Sequence, residues 1–165
     1  MNKKGSLLDL VWIVLFLFFF AFSIILGYKI AHEVNTKAQT MSGIDAQGKT
    51  AINNLEGYYP SIMNNGFVFF AIGIAIVTFI LAALVRVHPV FIPLYLIGLA
   101  VVITISAVFS NAYEAVSTNA ELSALAANMT MVSYIMTYLP FIVGILGTIL
   151  MVVMYKTWSA EEIYG

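Results

Sequence analysis

The chain has 165 residues, of which 62% are hydrophobic and 9% charged, whereas a soluble domain is about 45–50% apolar and about 25% charged. Seven Lys and Arg residues against eight Asp and Glu residues give a net charge of −1, which excludes the basic surface that nucleic acid requires. The absence of cysteine excludes a disulfide framework, a thiolate metal site and a cysteine nucleophile. We therefore expect an integral membrane protein, folded as one all-α domain over residues 1–165.

Four apolar runs are long enough to cross a bilayer, which takes about 20 residues. They cover residues 10–30, 67–87, 90–110 and 131–156. Because helices satisfy their own backbone groups in lipid, these runs predict a four-helix membrane bundle. The first run is too long for a cleavable signal peptide. Pro140 is expected to bend the fourth span.

The segment Ala31–Gly66 predicts a helical hairpin that projects between spans one and two. Apolar residues recur there at helical steps, at Val34, Ala38, Met41, Ile52, Leu55, Tyr59 and Ile62. Two glycines within 42–49 indicate a turn, and Pro60 would bend or restart the second helix. A flexible polar loop is the alternative. If the hairpin forms, Val34, Ala38, Met41, Ile52 and Leu55 could pack against one another within it.

We expect the hairpin to be the element that docks a partner, because it is the largest polar segment. Tyrosine offers a large contact area at low entropy cost, and polar neighbours can form the rim of an interface. The candidate docking residues are Asn53, Asn54, Tyr58 and Tyr59.

A second polar segment, Ser110–Thr130, predicts a short amphipathic helix before span four. Thr118 and Glu121 have the spacing of a capping box. The residues expected to line one face of this helix are Leu122, Leu125, Ala126 and Met129.

Small residues allow close approach of helices in lipid, and several are spaced three or four apart within the spans. The candidate packing residues are Ala71, Ala75, Ala100, Thr104, Ser106, Ser110, Gly144 and Gly147. They are compatible with a packed bundle within one chain or with an oligomer.

Lysine and arginine near the span ends indicate the orientation. If there are four spans, Lys3, Lys4, Arg86 and Lys156 lie on one side, against three lysines in the first loop on the other. This small excess places both termini on the cytoplasmic side of a cell membrane, or on the interior side of a virion membrane. The same four residues are candidate anchors at the lipid headgroups.

The interiors of the spans carry no ionisable residue, whereas pumps, voltage sensors and ion-coupled transporters need them there. The two histidines, His32 and His88, lie far apart in the sequence and lack metal-ligand spacing. We therefore expect no catalytic residues, no metal and no cofactor.

The stretch Ser110–Glu114, the sequence Tyr138-Leu-Pro140 and the ending Tyr155-Lys156 resemble small multi-span membrane proteins of phages, viruses and archaea. The resemblance implies a non-enzymatic structural or assembly protein, such as a component of a lipid-containing virion. Its partners would be the lipid bilayer and other membrane or shell proteins, in a homo- or hetero-oligomer. Two alternatives stay open: a small channel or holin-like lesion-former, and an accessory subunit of a respiratory or transport complex.

Overall fold

The computed structural model describes residues 7–84 and 89–164, and every regular element within these residues is helical. Two long helices come first, α1 (Leu7–Thr40) and α2 (Ala46–Leu84). A single 3-10 turn at Pro89–Phe91 then leads into α3 (Ile92–Ser117). The predicted all-α class is thus confirmed.

The C-terminal part of the chain is divided into three shorter pieces. One helical turn, α4 (Ser123–Ala126), precedes α5 (Thr130–Thr137), and α6 (Leu139–Tyr164) follows directly. Helices α1, α2 and α3 are each long and apolar enough to cross a membrane. Helices α5 and α6 make a fourth candidate when they are counted as one span bent by 62°.

The core lies along one face of α1, whose side chains contact α2 and α3. The buried residues of this face recur every three or four positions, as expected of a helix with one packed side; they are Leu10, Val14, Leu17, Ala21, Ile24 and Tyr28. Aromatic rings fill the neighbouring space. Phe18 meets Phe109 of α3 with ring centres 4.7 Å apart, and Phe20 meets Phe67 of α2 at 5.7 Å.

Helix α2 runs unbroken through Pro60, from Ala46 to Leu84, so of the two predicted effects of Pro60, a bend or a restart, the restart is wrong. Proline has no N–H, so its cost inside a helix is the hydrogen bond that the carbonyl of Glu56 would otherwise accept. Glu56 and Tyr59 before Pro60 and Phe67 after it contact α1, and these contacts offset that local cost.

The break between α5 and α6 falls close to the predicted position. Pro140 cannot donate to the helical ladder, and its ring crowds the carbonyl one turn earlier. The hydroxyl of Ser110 on α3 donates a hydrogen bond of 3.0 Å to the carbonyl of Thr137, the last residue of α5. A side chain from a neighbouring helix thereby satisfies a carbonyl at the bend.

The predicted helix before span four is only the single turn α4, and its predicted capping box does not form. Thr118 donates to the carbonyl of Glu114 at 2.7 Å, which ends α3 rather than starting α4. Glu121 is paired with Lys29 of α1 instead. The predicted apolar face is nevertheless buried at Leu125, Ala126 and Met129.

Candidate functional site: the α1–α2 hairpin and its base

Helices α1 and α2 both continue beyond the apolar runs and are joined by residues 41–45. Asp45 ends this turn: its carboxylate accepts a hydrogen bond of 2.7 Å from the backbone N–H of Gly48, in the first turn of α2. An acidic side chain at this position caps the helix and complements its dipole.

The surface between the two helices is polar. Asn35 on α1 is 8% exposed, and its Nδ2 donates to Asn53 Oδ1 at 3.1 Å and to a carboxylate oxygen of Glu56. His32 Nδ1 donates to the other oxygen of Glu56 at 2.6 Å. Gln39 Nε2 donates to Asn35 Oδ1 at 2.8 Å. These hydrogen-bonded side chains hold α1 and α2 in a fixed register.

Two reciprocal contacts to the backbone close the end of the hairpin. Gln39 Nε2 donates to the carbonyl of Lys49 at 3.0 Å, and Lys49 Nζ donates to the carbonyl of Gln39 at 2.9 Å. Each side chain therefore bonds the other residue's main chain, which fixes the helix ends next to the turn.

The apolar seam expected for this hairpin does not form. Of the seven predicted residues only Ala38 is buried, whereas Val34, Met41, Leu55 and Ile62 are each more than half exposed. The hydrogen-bonded polar residues between α1 and α2, which we name the polar seam, can be recognised from their spacing in the sequence. Steps of three and four from the buried Tyr28 reach His32, Asn35 and Gln39. The same face of α1 therefore contacts α2 along the hairpin, but its residues change from apolar to polar.

The base of the hairpin is held by two stacked tyrosines. The rings of Tyr28 and Tyr59 are nearly parallel, with centres 5.4 Å apart, and Tyr59 donates to the carbonyl of Ile24 at 3.1 Å. Gly27 makes room for this hydroxyl, because a Cβ atom at that position would lie 2.3 Å from it. Any side chain at position 27 would therefore displace Tyr59.

An ion pair and a shared asparagine join the hairpin to the second polar segment. Lys29 Nζ lies 2.5 Å from a carboxylate oxygen of Glu121. This hydrogen bond, together with the charge of Lys29, holds the pKa of Glu121 below its ordinary value. Asn128 donates to the hydroxyl of Tyr28 at 3.4 Å, and Asn64 donates to the carbonyl of Asn128 at 3.0 Å.

The four candidate docking residues are placed differently by the structure. Asn54 and Tyr58 are exposed, with Tyr58 at 65%. Asn53 is exposed but accepts the hydrogen bond from Asn35. Tyr59 points into the molecule, so only part of the predicted set is free to meet a partner.

The candidate packing residues also separate into groups. Ser106, Ser110 and Gly147 are buried, and Gly147 lies against Leu99. Gly144 is half-buried and approaches Ile103. Two further pairs are then distinguished by exposure: Ala71 and Ala75 are half-buried beside a cavity of about 290 Å³, and Ala100 and Thr104 are exposed.

Of the candidate anchors, Lys3, Lys4 and Arg86 lie outside the described residues, and Lys156 lies on α6.

A larger apolar groove of about 760 Å³ lies between α1, α2 and α6, with Trp12, Phe70 and Met154 among its lining residues. Among the residues that the structure describes, no three His, Asp or Glu side chains come together as a metal site.

Comparison of the chain with protein families, with characterised proteins and with solved structures finds no match.

Proposed function

We propose that the chain is a non-enzymatic integral membrane protein that serves as a structural or assembly component of a larger complex. In this arrangement α1, α2, α3 and the bent pair α5–α6 form a four-helix bundle, and the hairpin projects from the bilayer. Both termini lie on the opposite, cytoplasmic or interior side. The length and apolar character of these helices support the membrane location.

The observation that carries this proposal is a hairpin whose two helices are held together by side-chain hydrogen bonds and whose apolar residues lie on the outside. Its inner surface is occupied by hydrogen-bonded polar groups, so the apolar residues point away from the partner helix. These residues are Ile30 and Val34 on α1 and Met41 directly after it, exposed at 64%, 53% and 55%. Apolar groups on a projection into water favour contact with another protein.

The chemistry of Ile30, Val34, Met41 and their neighbours indicates the kind of partner. Met41 adapts its shape to a neighbour, as unbranched methionine does at interfaces. Glu33 and Lys37 lie on the same helix and are exposed, with charges of opposite sign. A partner with an apolar patch and a mixed polar rim fits this surface, as a neighbouring membrane protein or a shell protein in a lipid-containing virion would.

The test compares two double variants in the native assembly. Val34→Glu with Met41→Glu places charge on the exposed apolar residues, and Thr36→Glu with Thr40→Glu places the same charge at exposed polar positions of α1. We expect both proteins to resist alkaline carbonate extraction, and only the first to be lost from the assembly purified in mild detergent. Equal incorporation of the two variants would overturn the docking role, and extraction of the unaltered chain would overturn the membrane location.

A further inference from the structure

One side of α2, which we name the outer face, carries large exposed apolar side chains from Leu55 to Ile80, with Asn65 as an exposed polar residue among them. Its large side chains are 54–82% exposed, and they are Leu55, Tyr58, Ile62, Phe69, Ile72, Ile76 and Ile80. At 3.6 residues per turn they fall within a sector about 100° wide, on the side of α2 opposite the polar seam. Within the most apolar 18 residues of α2, 11% of residues are buried, whereas 33% are buried in the corresponding stretch of α1.

The outer face extends from the expected water phase into the expected lipid phase. Leu55 lies about 18 Å and Tyr58 about 14 Å along the helix axis from Phe67, at a rise of 1.5 Å per residue. The headgroup layer on each side of a bilayer core is only about 5–8 Å thick. Lipid tails therefore cannot cover Leu55 and Tyr58, although they could cover the residues from Phe69 onward. A single partner that covers the whole outer face must extend from the water phase into the lipid phase, as a membrane-spanning helix that continues beyond the bilayer does.

Phe69 on the outer face lies beside two glycines at the edge of that face. Phe69 is 82% exposed, and a Cβ atom added at Gly66 or Gly73 would meet no described atom within 4 Å. At 3.6 residues per turn, both glycines lie about 40–60° around the helix from Phe69 and in the same direction. Phe69 therefore protrudes beside the open space at the two glycines, and all three residues line the apolar groove between α1, α2 and α6.

We propose that the outer face is covered by α2 of a second copy, in a parallel dimer with its two-fold axis along the membrane normal. Two copies with the same topology in one membrane bring their α2 helices together in the same direction. A two-fold axis then sets the Phe69 flank of each copy against the Gly66–Gly73 flank of the other. Such an isologous contact needs one self-complementary patch, and small residues permit close approach in lipid.

The size of the face is sufficient for such a contact. A fully buried aromatic ring contributes about 150–250 Å² and an aliphatic side chain roughly half of that, so the exposed parts of the seven side chains offer on the order of 600 Å² per copy. Two copies would bury on the order of 1,200 Å², which is the lower end of specific interfaces. The inference rests on the proposed membrane location, since that location makes the helices parallel.

Disulfide trapping tests the geometry directly, because the chain contains no cysteine. The full chain is reconstituted in vesicles with a single Leu55→Cys or Ile62→Cys substitution and treated with a mild oxidant. Both positions lie close to the proposed axis, so covalent dimers should form. Gly57→Cys is the control, since Gly57 is exposed on the same helix but about 120° from Phe69 at 3.6 residues per turn. Dimer formation at Gly57 as fast as at Leu55 and Ile62 would overturn the proposal.

The packing of Phe69 is tested by its truncation. We expect Phe69→Ala to raise the dimer dissociation constant in vesicles roughly thirty-fold, the effect of losing a central aromatic contact. Phe141→Ala is the matched control, because Phe141 on α6 is 68% exposed and lies outside the outer face. Subunit counting by single-molecule photobleaching gives the dimer fraction. Equal dissociation constants for the two variants would contradict the assignment.

The outcomes separate this inference from the proposed function. A chain that resists carbonate extraction but remains monomeric in vesicles would overturn the dimer and leave the membrane location intact. A chain that carbonate extracts would overturn the membrane location, and with it the parallel arrangement.

Discussion

Asn64 joins three parts of the chain with one side chain. Its Oδ1 accepts hydrogen bonds from the backbone N–H groups of Met131 and Val132, at 3.2 and 3.3 Å, and its Nδ2 donates to the carbonyl of Asn128. Helix α5 begins at Thr130, after a methionine. An asparagine in α2 therefore performs for α5 the function that an N-cap residue performs within its own helix.

Replacement of Asn64 should destabilise the protein. We expect Asn64→Ala to lower the free energy of unfolding by about 0.5–2 kcal/mol, the range found for lost N-caps. Asn64→Asp should retain most of the stability, because its carboxylate still accepts from both N–H groups. Denaturation in detergent micelles, followed by circular dichroism, gives the values. Asn54→Ala, at an exposed position of the same helix, is the control, and equal losses at positions 54 and 64 would refute the cap.

Glu121 links pH to the contact between the two polar segments. Because its pKa lies below the ordinary value of 4.5, Glu121 stabilises the folded state above that pH, and the stabilisation is lost as the pH falls through the folded-state pKa. Glu121 is 74% exposed, so solvent screening keeps the stabilisation small.

Titration of the Glu121 carboxyl by carbon-detected NMR tests this ion pair. We expect Lys29→Met to raise the pKa of Glu121 towards its ordinary value, and Lys37→Met to leave it unchanged, since Lys37 lies two helical turns further along α1. An unchanged pKa in Lys29→Met would mean that the pair does not persist in solution.

At the scale of elements, α3 and α6 are held together by contacts that distinguish two similar glycines. A Cβ atom at Gly147 would lie 2.2 Å from Leu99 Cδ1, whereas one at Gly144 would lie at an ordinary 3.5 Å from Ile103 Cδ1. Tyr95 of α3 also donates to the carbonyl of Gly147 at 3.0 Å. The close approach of the helices therefore depends on one of the two glycines.

We expect Gly147→Ala to destabilise the protein by about 1–3 kcal/mol, the cost of overpacking a filled core. Gly144→Ala should be neutral or slightly stabilising, because alanine favours a helix over glycine by about 1 kcal/mol. Both variants are compared by unfolding in the same detergent. A larger loss at position 144 would show that α3 and α6 pack in another register.

The sequence predicts the helices better than it predicts their contacts. Uncharged runs give the apolar helices directly, and Pro140 marks the bend, since both depend on local composition. Packing of the apolar residues inside the hairpin, which the sequence left as one of two possibilities, does not occur, because the apolar periodicity of Val34 and Leu55 describes the outside of the hairpin. Pairings such as Asn35 with Glu56, or Asn64 with α5, join distant positions whose partners local spacing cannot identify.

At the scale of the whole molecule, the topology can be tested by labelling. Single cysteines at Ser6, Gly48, Ser117 and Ser159 should react with a membrane-impermeant thiol reagent from one side at positions 48 and 117 only. This pattern follows from four spans with both termini on the other side. Reaction of positions 48 and 159 from the same side would contradict it.

The cap that Asn64 provides also has a consequence for the order of assembly. Helix α5 has only 8 residues, and its own N-cap residue, Met129, offers no capping side chain, so it depends on Asn64 of α2 for its cap. Ribosomal synthesis proceeds from the N-terminus, so α2 and its Asn64 exist before the first residue of α5 is added. Helix α5 can therefore bind Asn64 as soon as its first residues are synthesised. A circular permutation that placed α5 ahead of α2 would reverse this order of synthesis while keeping every contact of the final structure.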